Sequence, residues 1–324
     1  MFQTKMTELF GIQHPIMQGG MQNLGVPELA AAVSNAGGLG TINMTIYPTP
    51  EELRSAIRRM KELTDKPFCV NVSIIPSLSL GESTVQLLEV IFEENVKIVE
   101  TAGASPAVFA EIIKKSNVIW NHKVAAVKHA KKAEDLGVDI VTIAGYEVAG
   151  HPGPDGVGTF VLANKTAREL SIPVIAAGGI ADGRGLAAAL ALGASGVTVG
   201  TRFMATQECT IHQNHKQWIV DAGENDSALC QQTIHNMVRV ANNTAAKKCI
   251  EMESRGASIE ELMTVIAGKI GRECYETGNV DGGMFPVGPS IGLISDVPTV
   301  QQLIDSMVSE TESVLATLNS YHIK

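Results

Sequence analysis

A single imidazole, His151, lies in a loop that is rich in glycine and proline. The centre of this loop reads Ala149-Gly-His-Pro-Gly153, and the loop follows an apolar run over residues 139–145 that is typical of a strand inside a parallel sheet. Loops at the carboxyl ends of such strands carry the chemistry of α/β folds. Because an imidazole can give or take a proton near neutral pH, His151 is the candidate catalytic residue.

Two glycine-bearing segments farther along the chain are typical of a phosphate site. Gly178 and Gly179 follow one apolar run, and Gly200 and Thr201 end the next. Glycine lets backbone N–H groups approach an anion closely, and the amino end of a short helix opened at 200–201 would favour negative charge. The sequence therefore predicts a ligand with a phosphate group. A sugar phosphate, a flavin mononucleotide and pyridoxal phosphate all fit at this point.

Residues at the ends of other predicted strands favour a flavin, which needs polar partners along its ring edge and small residues against its faces. The candidates are Gln18, Met21 and Gln22 after the first strand, Asn71 and Ser73 on the third, His122 and Lys123 at the end of the fifth, and Ala149 and Gly150 beside His151. Lys123 would stabilise negative charge on a reduced ring. It is also the best Schiff-base candidate for pyridoxal phosphate, but no partner for a pyridine nitrogen is evident.

Short β-branched runs alternate with helix-patterned segments up to about residue 204. The predicted strands cover 15–21, 39–44, 68–74, 98–102, 118–124, 139–144, 173–177 and 196–201. The predicted helices cover 27–35, 50–64, 83–94, 106–115, 125–136, 159–170 and 185–192. This alternation predicts an α/β fold, a (β/α)8 TIM barrel. A doubly wound sheet is the alternative, but the turn after the first strand lacks the G-x-G-x-x-G pattern of a dinucleotide site.

The strand pattern stops after the barrel segment. Residues 205–279 are predicted to form a helical lid or substrate domain, with amphipathic helices over 212–222, 233–253 and 259–270. A glycine-rich return begins at Val280. Residues from about 280 to 324 are expected to complete the barrel that residues 1–204 begin.

Composition excludes several classes of protein. The 324 residues carry a formal net charge of −9 with only 4% aromatic residues, which argues against a nucleic-acid partner. The longest uncharged stretch of interest, over 185–201, is too short and too rich in glycine to span a membrane. An N-terminus without a signal peptide and five cysteines without a C-x-x-C pair predict a cytoplasmic protein. His212 and His215 have no third ligand at a suitable spacing, so no metal site is predicted.

Several motifs along the chain resemble those of one enzyme family. They are His14-Pro-Ile-Met-Gln-Gly-Gly-Met21, Ala36-Gly-Gly-Leu-Gly40, Asp65-Lys-Pro-Phe68 with Val70-Asn-Val72, Ala149-Gly-His-Pro-Gly153, Ala177-Gly-Gly-Ile-Ala-Asp-Gly183, Gly200-Thr-Arg-Phe203 and Val280-Asp-Gly-Gly283. Together they resemble the FMN-dependent nitronate monooxygenase family, or 2-nitropropane dioxygenase-like family. Tyr146-Glu-Val-Ala-Gly-His-Pro-Gly153, His122-Lys123 and Asn71-Val-Ser-Ile-Ile-Pro76 are most similar to its NADH:quinone reductase branch.

The resemblance implies an FMN site at the barrel rim, with His151 over the reactive edge of the ring. The residues expected to contact FMN are Met21, Gln22, Asn71, Ser73, Lys123, Ala149, Gly150, Gly178, Gly179, Gly200 and Thr201. Asn23 stands where close look-alikes carry a tryptophan. The implied activity passes a hydride from NADH or NADPH through FMN to a quinone. Nitronate oxidation and enoyl-thioester reduction are the alternatives, and a homodimer acting on small molecules is the expected form.

Overall fold

The computed structural model describes residues 2–74 and 82–321, and eight parallel strands form its centre. They are β1 (Ile16–Gln18), β2 (Gly40–Asn43), β3 (Phe68–Ile74), β4 (Ile98–Gly103), β5 (Ile119–Val124), β6 (Ile140–Ala144), β7 (Val174–Ala177) and β8 (Gly196–Val199). Each strand pairs with the next along the chain from β2 to β8, and β8 pairs with β1. A bridge between Met17 and Leu39 closes the ring. The predicted (β/α)8 barrel is therefore confirmed. Ile75 and Pro76 of the third-strand motif lie outside the described residues.

Helices surround the barrel and form much of the segment that follows β8. They are α1 (Lys5–Phe10), α2 (Pro27–Asn35), α3 (Pro50–Leu63), α4 (Glu82–Glu93), α5 (Ala110–Lys115), α6 (Val127–Asp135), α7 (Thr159–Glu169), α8 (Gly183–Ala191), α9 (Thr201–Met204), α10 (Gln213–Asp221), α11 (Thr244–Ser254), α12 (Ile259–Ile266), α13 (Gly268–Thr277) and α14 (Val300–Ser320). Short 3-10 helices cover Met44–Ile46, Pro106–Phe109 and Pro289–Leu293. Local capping explains several boundaries. Thr49 and Glu52 form a capping box at the start of α3, with Pro50 in the first turn.

Helix α1 closes the amino-terminal end of the barrel. Its Met6 and Phe10 are buried against a layer of apolar side chains from the barrel strands and the residues next to them. That layer comprises Met17, Leu39, Cys69, Ile98, Ile140 and Ile175. Gly196 permits the close fit, since a Cβ there would lie 2.2 Å from Met6 Sδ. The described side chains fill this end of the barrel, so a ligand site is expected at the opposite rim.

The last helix, α14, packs on α8 and α2 and so completes the wall of the barrel. Gly183, at the start of α8, allows the contact, because a Cβ there would lie 2.4 Å from Met307 O. The Gly183 N–H donates to Glu310 Oε2 at 2.8 Å, and the Gly183 carbonyl accepts from Thr311 Oγ1 at 3.0 Å. The chain thus returns to the barrel after a long insertion.

The insertion is not purely helical, which corrects the prediction for residues 233–253. An antiparallel hairpin of β9 (Ser227–Cys230) and β10 (Val238–Ala241) precedes α11. Val238 and Val240 alternate with Arg239 in the period-2 pattern of a strand, and they pack on α11 and α12. Asn243 then caps α11 by accepting from Ala246 N at 2.9 Å. The predicted helix over 259–270 is also divided, since Ala267 is not helical.

No helix in the described ranges has both the length and the apolar character that a bilayer span requires.

Candidate functional site

A buried polar network crosses the barrel below its open rim. Glu100 on β4 is fully buried, and it accepts from Asn71 Nδ2 at 2.7 Å and from Asn121 Nδ2 at 3.0 Å. Asn121 also donates to Thr142 Oγ1 at 2.9 Å. Polar groups inside a protein are stabilised only when their hydrogen bonds are made. The network therefore fixes these side chains beneath the mouth of the barrel.

Ser73 lies at this rim, and Asn71, which is buried, lies just below it in the network. Ser73 Oγ donates to Asn71 Oδ1 at 3.2 Å. The loop after β1 lies directly on Asn71, because a Cβ on Gly20 would approach Asn71 Cγ to 2.4 Å. The neighbouring Met21, which is half-buried, follows in the same loop. The structure thus brings the first and third strand ends together.

Lys123 faces the interior and His122 does not. Lys123 Nζ lies 3.8 Å from Glu100 Oε1, with 30% of the side chain exposed. His122 points outward, as alternation along a strand requires, and its Nδ1 lies 2.9 Å from Thr101 Oγ1. Burial lowers the pKa of His122 to about 4. The suggestion that His122 meets a flavin edge is therefore wrong.

Gln18 is also absent from the rim, although the sequence suggests it as a flavin contact. Its side chain is fully buried, and its amide donates to Thr41 O at 3.0 Å and accepts from Thr41 N at 3.3 Å. Strands β1 and β2 are joined by a single isolated bridge, so the Gln18 amide supplies the hydrogen bonds that a longer ladder would make. Gln18 therefore has a structural role at the junction between β1 and β2, where the barrel closes.

The two predicted phosphate loops lie side by side. Strands β7 and β8 are paired in parallel, with Ala177 opposite Thr198, so the loops that follow them are neighbours. Gly178 has φ +103° and Gly179 has φ +75°, which is the left-handed region that favours glycine. A Cβ on Gly178 would lie 2.9 Å from Val148 Cγ1. The first loop therefore needs glycine for its own fold.

Open space lies beside the second loop. A Cβ on Gly200 would have no described atom within 4 Å. Thr201 begins the short helix α9, and its Oγ1 accepts from Gly288 N at 3.1 Å. The hydroxyl of Thr198 is buried with no hydrogen-bond partner among the described residues. An accessible space bordered by glycine backbone suits the phosphate of FMN.

The loop that carries His151 is anchored by Glu147, a residue that the sequence analysis did not single out. Glu147 Oε2 accepts from Thr159 N at 2.8 Å and from Thr159 Oγ1 at 3.0 Å. The loop is closed by Tyr146 N, which donates to Val157 O at 2.9 Å. The Glu147 carboxylate thereby ties the loop to the amino end of α7, as capping acids do.

The hairpin binds the same loop from the other side. Gly150 N donates to Arg239 O at 3.0 Å, and Arg239 N donates to Gly150 O. The Arg239 guanidinium donates to Tyr146 O at 3.1 Å and lies 5.0 Å from the centre of the Tyr146 ring. The backbone N–H of Gly150 is thus used within the protein. Its neighbour Ala149 is half-buried beside Gly288.

His151 stands at this junction as an exposed residue that the loop and the hairpin partly surround. Its pKa is lowered, chiefly because the surrounding loop and hairpin reduce its hydration. A hydrogen bond with Asn236 opposes this shift, and the positive charge of Lys123 adds to it. Asn236 is itself held by Gln231, whose Oε1 accepts from Asn236 Nδ2 at 2.7 Å. The ring is therefore neutral near pH 7, with one donor and one acceptor nitrogen.

Helix α13 covers the loop after β1. A Cβ on Gly268 would lie 3.7 Å from Gln22 Nε2, and Arg272 Nη2 donates to Asn23 Oδ1 at 3.4 Å. Asn23 has φ +62°, a conformation that asparagine adopts more readily than bulky residues. Asparagine therefore suits this turn, in which a bulky side chain such as tryptophan would be strained. Gln22, which is exposed, lies between the lid and the rim.

The histidine pair on and before α10 has structural roles. His212 caps α10, with its Nδ1 accepting from Asn214 N at 3.1 Å. His215 is buried edge-on against Tyr275 and Phe285, and burial lowers its pKa to about 4. No group of three or more His, Cys, Asp or Glu side chains in residues 2–74 and 82–321 is arranged to hold a metal. All five cysteines are free and buried.

Comparisons with known proteins agree with this architecture. The family model described as Nitronate monooxygenase matches residues 3–78 and 75–310. The structure of FabK from Thermotoga maritima is similar over 99% of this chain and 100% of that chain, with 38% identity and a TM-score of 0.93.

Two curated relatives extend the comparison. A (3aS,4S,5R,7aS)-5-hydroxy-7a-methyl-1-oxo-octahydro-1H-indene-4-carboxyl-CoA dehydrogenase of Rhodococcus jostii (strain RHA1) is 32% identical over 95% of each chain. A nitronate monooxygenase of Paraburkholderia phytofirmans (strain DSM 17436 / LMG 22146 / PsJN) is 34% identical over 64% of this chain and 68% of its own. With a matching family model along most of its length and a barrel of the same kind, the chain is an oxidoreductase that belongs to the nitronate monooxygenase family.

Proposed function

We propose that this protein is an FMN-dependent reductase that uses NADH or NADPH to reduce the double bond of an α,β-unsaturated acyl thioester. The observation that carries the proposal is the likeness to FabK, an enoyl reductase, at 38% identity over nearly the whole chain. The name of the Rhodococcus relative also specifies a substrate joined to coenzyme A through its carboxyl group. Two relatives that align over almost the full length thus favour a thioester.

The rim has the features that FMN requires. The open space beside Gly200, next to the loop of Gly178 and Gly179 that follows the neighbouring strand β7, fits one terminal phosphate. Asn71, Ser73 and Lys123 offer polar partners for a ring at the barrel mouth, and Ala149 is small enough to lie against its face. FMN in this position would supply two-electron hydride transfer between a nicotinamide and the substrate.

The side chains of the protein would orient the substrate and handle its proton. Lys123 supplies positive charge at the rim, which favours a reduced, anionic ring. His151, whose lowered pKa keeps the ring neutral, can donate its N–H to a thioester carbonyl. Such a hydrogen bond withdraws electrons from the double bond and prepares it for hydride. The lid helix α13 and the β9–β10 hairpin limit the access of water.

Nitronate oxidation is the second candidate, favoured by the family model and by the Paraburkholderia relative. In that reaction the nitronate itself gives electrons to the cofactor, so NAD(P)H is not needed. The quinone acceptor, the homodimer and the cytoplasmic location stay predictions. None of the relatives named above is a quinone reductase.

Anaerobic half-reactions separate these activities. The purified, FMN-loaded protein is mixed with NADH, NADPH or propyl-nitronate, and bleaching of the flavin band is followed by stopped flow. The nucleotide-reduced protein is then mixed with crotonyl-CoA or benzoquinone. We expect one nucleotide to reduce the flavin and crotonyl-CoA to reoxidise it, with butyryl-CoA as the product.

Two outcomes would overturn the proposal. Reduction by propyl-nitronate but by neither nucleotide would assign nitronate oxidation. Reoxidation by benzoquinone, with no butyryl-CoA formed from crotonyl-CoA, would assign quinone reduction.

A further inference from the structure

Glu100 is a buried carboxylate at the centre of the rim residues, and nothing in the reaction above uses it. It lies in the middle of β4 with no exposed surface. Its two oxygens accept from Asn71 and Asn121, and Lys123 Nζ lies 3.8 Å from Oε1. An ionised carboxylate inside a barrel is costly unless it is paired and hydrogen-bonded. Such a residue in the interior therefore calls for a role.

We propose that Glu100 is a positioning residue for the cofactor: it fixes the orientation of the Asn71 amide and balances the charge of Lys123 beneath the ring. This inference rests on the proposal that FMN binds at this rim. In this proposal Glu100 does not itself contact FMN. It acts through Asn71 and Lys123, which would contact the cofactor.

The orientation of Asn71 follows from hydrogen-bond chemistry. A carboxylate accepts only, so Asn71 must turn its NH2 group toward Glu100 and its oxygen toward Ser73 and the rim. The Asn121 NH2 group is likewise directed to Glu100. A glutamine at position 100 would present one oxygen and one NH2 group. It would satisfy only one of the two asparagines, and the other amide would have to rotate or lose its partner.

The charge of Lys123 is the second consequence. Glu100 and Lys123 together are neutral, whereas Lys123 alone would leave one uncompensated positive charge at the mouth. Reduction adds negative charge to FMN, so nearby positive charge raises its reduction potential and nearby negative charge lowers it. Glu100 therefore holds the potential below the value that Lys123 alone would set.

Three variants test the two effects. Glu100→Gln, Lys123→Met and the double variant are prepared beside a control, Glu94→Gln, which removes another buried carboxylate between α3 and α4 far from the rim. Binding of FMN to the apoprotein is titrated by fluorescence quenching. The reduction potential of the bound FMN is measured by equilibration with a reference dye. Thermal unfolding of each apoprotein reports whether the barrel is intact.

We expect Glu100→Gln to weaken FMN binding by about 10-fold or more, the effect of one unsatisfied buried group, and to raise the reduction potential. Lys123→Met should lower the potential, and the double variant should return it toward that of the wild type. Unchanged FMN affinity and potential in a folded Glu100→Gln protein would overturn the inference. A failure of all variants and of the wild type to bind FMN would instead overturn the proposed cofactor.

Asn71→Ala provides an independent test if Glu100→Gln does not fold. It removes the oriented amide and leaves both charges in place. FMN affinity should then fall while the potential changes little. Equal affinity of Asn71→Ala and wild type would contradict the positioning role.

Discussion

Gly150 and Arg239 exchange two backbone hydrogen bonds, which join the loop that carries His151 to the lid hairpin. The barrel and the insertion therefore meet one residue away from the imidazole. The side chain of Arg239 strengthens the junction through Tyr146. This bridge is a direct backbone link between the hairpin and the loop of His151.

Arg239→Ala should loosen the loop without unfolding the barrel. The backbone bonds to Gly150 remain, but the guanidinium bond to Tyr146 O and the contact with its ring are lost. We expect faster hydrogen exchange in residues 146–151, measured by mass spectrometry, and unchanged exchange in the barrel strands. Uniformly unchanged exchange would show that the backbone bridge alone holds the loop.

Gly200→Val should prevent FMN binding in a folded protein. The glycine has φ −115°, which any residue adopts, and its Cβ direction points into open space, so the side chain would occupy the phosphate position. Cofactor released by heat and separated on a column should be FMN, not FAD, from the wild type and absent from this variant. Gly223→Val, in the insertion, serves as the control. Recovery of FAD from the wild type would contradict the single-phosphate site.

His151→Ala should keep FMN bound while turnover falls by about 10²–10⁴-fold, the usual contribution of a positioned acid–base group. Single-turnover measurements should place the loss in the step with the acceptor and not in reduction by the nucleotide. His129→Ala, which changes an exposed histidine on α6, should behave as wild type. Loss of FMN with little change in activity per bound FMN would make His151 structural.

Asn236→Ala should shift the pH dependence of the same step. The hydrogen bond between Asn236 and the imidazole raises the pKa of His151 against the effect of burial, so its removal lowers that pKa further. The acid limb of the pH profile should move to lower pH, and Asn236→Asp should move it to higher pH. Identical profiles in all three proteins would remove Asn236 from the site.

Acid should destabilise the folded protein in part through His215. Its pKa is about 4 in the folded protein and 6.5 in the unfolded chain, so the unfolded chain binds more protons between these values and stability falls as pH drops through this window. At pH 5 the loss is about 2 kcal/mol relative to neutral pH. His215→Phe keeps the ring between Tyr275 and Phe285 and should reduce that loss. Urea unfolding at pH 5 and pH 7 measures it, and equal acid sensitivity of both proteins would contradict this assignment.

The barrel was predictable because parallel strands buried on both faces leave continuous apolar runs between helix caps. Residues such as Pro50 and Gly137 mark the boundaries directly. The hairpin was not predicted because Val238 and Val240 around Arg239 form only a short alternation. Over so few residues the pattern is also compatible with the amphipathic helix predicted for 233–253. The identity of the hairpin depends on packing against α11 and on the bridge to Gly150, and both are long-range contacts.

The sequence predicted which residues lie at the strand ends of the rim, but it did not predict the buried polar network beneath them. Strict alternation along β5 separates Lys123 from His122, and this signal was available in the sequence. The sequence did show Glu100 as the only acidic residue in the otherwise uncharged run Ile98-Val-Glu-Thr-Ala102, which indicates a buried carboxylate. Its partners, Asn71 and Asn121, come from neighbouring strands, so their convergence is a property of the closed barrel.

The return of α14 to the barrel has a consequence for the order of synthesis. Strand β8 ends at Val199, and the helix that packs against α8 and α2 begins only at Val300. A ribosome therefore completes the whole insertion while the flank of α8 around Gly183 is still uncovered. Contacts between residues so distant in sequence form slowly. The barrel cannot be completed until α14 has been synthesised. A chaperone that shields the flank of α8 during translation would protect the nascent chain from aggregation.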